Sequence, residues 1–127
     1  MIDANIVMAI ILNEPAKPKI IEATGDVLLV SPEIIRHEVV NALSSLYRRK
    51  KLTKEQVVGA YSKVSLLPIR LEKVDLRQSL QIICEYAIYA YDSYYLELAQ
   101  RLKLKLLTLD TAMRNIGYDM KITMMEL

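Results

Sequence analysis

An α/β fold, with helices on both faces of a parallel sheet, is what this chain's pattern predicts, and three observations carry it. Short apolar runs alternate with longer amphipathic or capped segments along the whole chain. The run Val27-Leu28-Leu29-Val30 is apolar at consecutive positions, as a strand buried on both faces is. A helix over 93–103 and a strand over 105–109 each span roughly 16 Å at the standard rises, so the strand retraces the helix. With 127 residues and no repeat, linker or low-complexity segment, residues 1–127 are expected to form a single domain. A domain of this size buries roughly two-thirds of the surface its unfolded chain exposes.

Taken in order, residues 1–3 open as a short strand, and residues 5–12 are apolar enough for a helix packed on the sheet. Asn13-Glu14-Pro15 breaks that helix, residues 19–23 suggest a short one, and Gly25-Asp26 turns the chain into the strand 27–30. Ser31-Pro32 is expected to start a long helix, Ser as cap and Pro at its first position, ending near the basic run Arg48-Arg49-Lys50-Lys51. Thr53 with Gln56 reads as a capping box for a helix over 53–67, stopped by Pro68. Residues 69–74 offer a third strand. Asp75 with Gln78 suggests a second capping box before a helix over 76–89. After the 93–109 unit, a short helix over 111–116 is expected to stop at Gly117, and residues 121–124 supply a last strand.

Composition excludes several function classes. The single cysteine, Cys84, rules out an internal disulfide and a multi-cysteine zinc site and favours a reducing cytoplasm. Its apolar neighbours suggest core packing. The single histidine lies in His37-Glu38-Val39-Val40-Asn41, where Asn41 stands at the position a zinc protease gives to its second histidine, so that pattern fails. Gly25, Gly59 and Gly117 are isolated and make no phosphate loop. No apolar run approaches the ~18 residues needed to cross a bilayer, and the apolar stretch after Asp3 lacks a basic flank. A net charge of +2 gives no global argument for nucleic acid. Arg48–Lys51 reads as a solvated helix end. With Phe and Trp absent, the aromatics are all tyrosine. The cluster Tyr86, Tyr89, Tyr91, Tyr94 and Tyr95 could stack bases, but its helical spacing favours packing.

The informative residues are acids. Open α/β sheets place their sites at the carboxyl ends of the strands. Asp3 and Asp110 both end strands, and Asp92 starts a helix running back toward the opposite edge, so all three are expected on one rim. Each also stands just before an expected helix and reads equally well as a cap worth ~1 kcal/mol. Asp75, with no other acid near it in the pattern, reads as a cap only. Glu38 falls on the apolar stripe of Ile35, Val39, Ala42, Leu43 and Leu46, where an unpaired carboxylate is costly. It is expected either to pair with a buried arginine or to reach the rim holding the aspartates. Four carboxylates facing one cavity are what a hard cation such as Mg²⁺ or Mn²⁺ requires.

These segments resemble the PIN-domain ribonucleases, and within them the compact VapC-type toxins of bacterial and archaeal toxin-antitoxin pairs. The matching stretches are Met1-Ile2-Asp3-Ala4-Asn5, Glu38-Val39-Val40-Asn41-Ala42-Leu43, Tyr91-Asp92-Ser93-Tyr94-Tyr95-Leu96-Glu97-Leu98-Ala99 and Thr108-Leu109-Asp110. The resemblance implies a three-layer PIN-like fold with a central parallel sheet of about five strands. It implies an Mg²⁺- or Mn²⁺-dependent endoribonuclease, a hydrolase of RNA phosphodiesters, acting as a homodimer in the cytoplasm and silenced by a cognate antitoxin. Asp3, Glu38, Asp92 and Asp110 would be the catalytic residues and the ligands of one or two ions. Asn5, Asn41, Ser93 and Thr108 are placed to hydrogen-bond those carboxylates. The alternatives are a PIN protein that processes RNA without an antitoxin, a homologue that binds RNA or protein without cutting, and, remotely, a signalling receiver domain, which would need a second acid after the first strand.

Overall fold

In the computed structural model, which describes residues 1–127, the chain runs α1 (Ala4–Ile11), α2 (Lys17–Thr24), β1 (Leu29–Pro32), α3 (Ile35–Arg48), α4 (Lys54–Val64), β2 (Ile69–Glu72), α5 (Leu76–Tyr86), α6 (Ala90–Arg101) and α7 (Thr111–Asp119). β1 and β2 pair in parallel, Leu29 opposite Ile69 and Pro32 opposite Glu72. Such a pair needs a crossover connection, and α3 with α4 provides it.

The sheet has two strands, not the five expected. The other extended segments join it through single parallel bridges, Ile2 with Leu107 and Leu106 with Met124. Ile2 N–H donates to Val30 O at 3.1 Å and so ties these segments to β1. The expected strands fail to extend because the chain leaves each one at once. Asp3 already caps α1, Asp110 caps α7, and the turn at Lys121, with φ of 61°, leaves little chain to pair. The order across the molecule is therefore Met124, Leu106-Leu107, Ile2, β1, β2, and the carboxyl ends of Ile2, Leu107 and both strands share one edge.

Several boundaries move. The second strand lies at Leu29–Pro32 instead of 27–30, with Val27 and Leu28 exposed. Ser31 does not cap a helix: its hydroxyl donates to Ile2 O at 2.7 Å, and α3 begins at Ile35 with no side-chain cap. Pro32 is tolerated at the last strand position, where the ladder ends. α5 stops at Tyr86 because Ala87 adopts the left-handed conformation. α6 starts at Ala90, three residues before the expected Ser93. α7 runs through Gly117, where an added Cβ would come within 2.7 Å of Met124 Sδ; the glycine serves close packing instead of ending the helix. The Thr53–Gln56 capping box forms in full.

The core is a cluster of 25 buried apolar residues, aliphatic or methionine apart from Tyr95. Ile6 and Val7 of α1, Leu96 and Leu98 of α6, and Leu106 and Leu107 are almost completely enclosed. Cys84 is exposed, against the expectation of core packing, because it lies on the outer face of α5 while Ile82 faces in. No helix is long and apolar enough to cross a membrane.

Candidate active site

Asp3 and Asp110 both cap helices, so the modest reading holds for these two residues. Asp3 Oδ1 accepts from Ile6 N at 3.0 Å at the start of α1, and Asp110 Oδ1 accepts from Met113 N at 3.0 Å at the start of α7. Capping uses only one oxygen of each carboxylate. The Thr108 hydroxyl donates to Asp3 Oδ2 and accepts from the Asp110 backbone N–H at 3.0 Å, so one buried side chain ties the two acids together.

Asp92 is not a cap. Because α6 begins at Ala90, it lies inside the first turn, near the helix end whose free N–H groups favour negative charge. Neither of its oxygens accepts a hydrogen bond from the protein. Glu38, in the first turn of α3, is half-buried on the stripe of Ile35, Val39 and Leu43, as its spacing predicts. No arginine meets it. Its Oε1 accepts from the Tyr95 hydroxyl at 2.6 Å, and Tyr95 is 1% exposed.

The four acids share one electrostatic field. Burial pushes the Asp3 carboxyl above its ordinary range; the Thr108 and Ile6 hydrogen bonds oppose this, and the charges of Asp110 and Asp92 add to it. Glu38 is raised first by burial and then by Asp3 and Asp92, with the Tyr95 bond opposing. Asp92 is raised by burial and by Asp110. Burial and the neighbouring Glu38 charge push the Tyr95 phenol upward, so it stays a proton donor at neutral pH. The two salt bridges of the molecule, Arg70–Glu72 and Arg101–Glu97, both lie outside this group, so no basic side chain neutralises it directly. All the donors are carboxylate or hydroxyl oxygens, a set that fits a hard divalent cation. No three Asp, Glu, His or Cys side chains stand close enough together to surround an ion as they are placed.

The remaining expected neighbours behave differently. Ser93 is buried, but its hydroxyl donates to Ala90 O at 2.6 Å within its own helix turn. Asn5 and Asn41 point to solvent and hydrogen-bond none of the four acids. Of the four polar residues expected around the acids, Thr108 alone bonds a carboxylate.

Three residues were not singled out by the sequence. Tyr95 belongs by helical spacing to the packing tyrosines, yet its spacing of three from Asp92 also puts it on a helix face beside that acid. Arg114, one turn into α7, donates to Thr108 O at 2.9 Å, and its Nε is buried with no hydrogen-bond partner. Glu97 is the acid that pairs with an arginine, Arg101 Nε at 2.6 Å, and its Oε2 accepts from Asp75 N at 3.1 Å. It thereby takes the role expected of Gln78, so the second capping box is only half formed. The tyrosine cluster splits: Tyr95 packs, whereas Tyr89 and Tyr91 are 85% and 49% exposed.

The PIN domain family model matches residues 1–118. Among solved structures, the crystal structure of PAE2754 from Pyrobaculum aerophilum is similar, with a TM-score of 0.68 and 20% sequence identity over 90% of this chain and 82% of that chain. At that identity the likeness speaks for the fold. No protein of curated function matches the chain. A match over nearly the whole chain leaves no room for the receiver-domain alternative: the chain belongs to the PIN domain family, whose members are generally nucleases.

Proposed function

We propose that this protein is an Mg²⁺- or Mn²⁺-dependent endoribonuclease, acting in the cytoplasm as the toxin of a VapC-type toxin-antitoxin pair. The observation that carries the reading is the convergence of Asp3, Glu38, Asp92 and Asp110, from four separate segments, with no basic side chain bonded to any of them. Like charges held buried or half-buried in this way call for a cation. These residues would hold one or two ions, which when bound activate water and offset the charge developing on an RNA phosphodiester.

What the chain itself contributes is positioning. Tyr95 fixes Glu38 through Oε1 and leaves Oε2 open. Thr108 fixes Asp3 relative to the start of α7, and capping leaves Asp110 Oδ2 open. Both Asp92 oxygens are open. The open oxygens therefore belong to three different elements, α3, α6 and the turn into α7. A cognate antitoxin covering this acidic edge would silence it, and a homodimer is the expected assembly.

A second reading is favoured by one observation, that no three of the acids stand within ion-holding distance of one another. In that reading the protein binds RNA or a protein partner without cutting, or processes RNA without an antitoxin. Calorimetric titration with Mn²⁺ beside an RNA cleavage assay separates the two. The proposed enzyme binds Mn²⁺ and cuts RNA only in its presence; Mn²⁺ binding without cleavage supports the second reading.

A further inference from the structure

A cavity of about 440 Å³ opens on the edge of the fold that carries the acids, without being lined by them. It sits at the carboxyl ends of the paired strands, where Pro32 and Glu72 are register partners. One wall carries His37, the residue before Glu38 on α3. Another carries Tyr94, two residues after Asp92 and next to Tyr95, whose hydroxyl holds Glu38. The cavity and the acid cluster therefore both draw on α3 and α6, from different faces of each helix, at the same carboxyl edge of the strands. Its volume lies within the range of small-molecule sites, roughly 300–1,000 Å³.

We propose that this cavity is a nucleobase subsite, taking one base of the RNA strand whose phosphate lies at the acids; this rests on the nuclease reading and specifies its substrate contact. Three features point to a base. The apolar part of the lining, Pro32, Ile34, Val74 and Leu76, suits a flat ring. Tyr94 is half-buried and edge-to-face with the exposed Tyr91, ring centres 6.1 Å apart at 67°, and Tyr89, at the start of α6, is exposed as well. Base stacking is the common use of such a surface in single-strand binding. The charged lining is Glu33, Glu72 and Lys73, two carboxylates to one ammonium, which repels a phosphate and accepts from N–H groups. Glu72 is already bonded to Arg70 at 2.8 Å, whereas Glu33 is exposed with no ion-pair partner. The subsite therefore prefers adenine, cytosine or guanine, whose exocyclic amino group presents N–H donors, over uracil, whose single N3–H is flanked by two carbonyl oxygens that a carboxylate repels.

The test uses the full chain and nucleosides, which carry no phosphate and so report the cavity without the acid site. With adenosine, cytidine, guanosine and uridine as probes, methyl NMR signals of Ile34, Val74 and Leu76 are expected to shift saturably, and uridine to bind most weakly. Val58, in a separate groove, is expected not to shift. Tyr94→Leu keeps the apolar bulk and is expected to weaken binding about tenfold, the scale of one lost stacking contact. Glu33→Gln is expected to narrow the gap between cytidine and uridine while keeping the fold. In parallel, cut sites mapped on a random-sequence RNA are expected to show a base preference at one position beside the cut that Tyr94→Leu erases. Equal binding by wild type and Tyr94→Leu, or uridine binding as well as cytidine, overturns the subsite. So does the absence of any nucleoside shift, which would leave the face to a protein partner. Cleavage that proceeds with no nucleoside binding sinks the subsite and leaves the nuclease. Nucleoside binding lost in Tyr94→Leu in a protein that never cuts RNA sinks the nuclease and leaves the subsite.

Discussion

Asp92 differs from the other three acids in having no protein donor on either oxygen, so its charge is the least compensated of the group. Its folded-state pKa is raised by burial and then by Asp110. A carboxyl raised in this way favours folding below its unfolded pKa, and that advantage is lost as the pH rises through the folded value. At neutral pH, without metal, Asp92→Asn is therefore expected to raise the thermal midpoint slightly, by less than about 1 kcal/mol of stability after solvent screening. The gain should vanish below the ordinary carboxylate range, which thermal melts across pH will show. Thr108→Val is expected to act in the opposite sense. It removes the donor to Asp3 and the acceptor for Asp110 N–H, leaves a buried and a half-buried group short of a partner, and should cost about 1–3 kcal/mol in chemical denaturation. Glu38 was legible from its helical stripe alone. Tyr95 was not, because helical spacing assigns a tyrosine to a buried face without revealing what its hydroxyl meets.

At the scale of elements, capping decided where the sequence could be read. The Thr53 and Gln56 side chains make both expected bonds, and Thr53→Ala is expected to destabilise the protein by about 1 kcal/mol while leaving RNA cleavage unchanged, as denaturation and activity assays will show. The Asp75 box was half misread because a distant residue, Glu97, satisfies the N–H that local logic assigned to Gln78. The Ser31-Pro32 pair followed helix-start rules yet ends a strand, since pairing with β2 and the Ser31 bond to Ile2 O prevailed over local preference. Because α6 starts three residues before the expected position, Asp92 is a first-turn acid with open oxygens and not a cap. Conversely, the caps expected at Asp3 and Asp110 are present and compatible with a second role, because a cap engages one carboxylate oxygen of two.

For the whole molecule, the sequence conveyed the alternation of elements and the shared edge but overstated the sheet. Strand polarity brought Asp3 and Asp110 to one rim even though only β1 and β2 form a ladder. Single bridges suffice for this because the core, not the ladder, fixes the segments: Ile2, Leu106 and Leu107 are all almost fully enclosed. Leu106→Ala is accordingly expected to cost about 2–5 kcal/mol in denaturation, against little for the exposed Leu66. A cation bound by the folded state alone would also stabilise it, by about 2.7 kcal/mol at one hundred times its dissociation constant, and so raise the thermal midpoint as its concentration rises. The central claim, that the four acids form a metal-dependent RNA-cutting site, is tested most directly by the cleavage rate of single-stranded RNA with Mn²⁺ for the wild type and Asp92→Asn. The account predicts cleavage by the wild type that chelation stops, and none by a variant that remains folded; equal cleavage by the two proteins would contradict it.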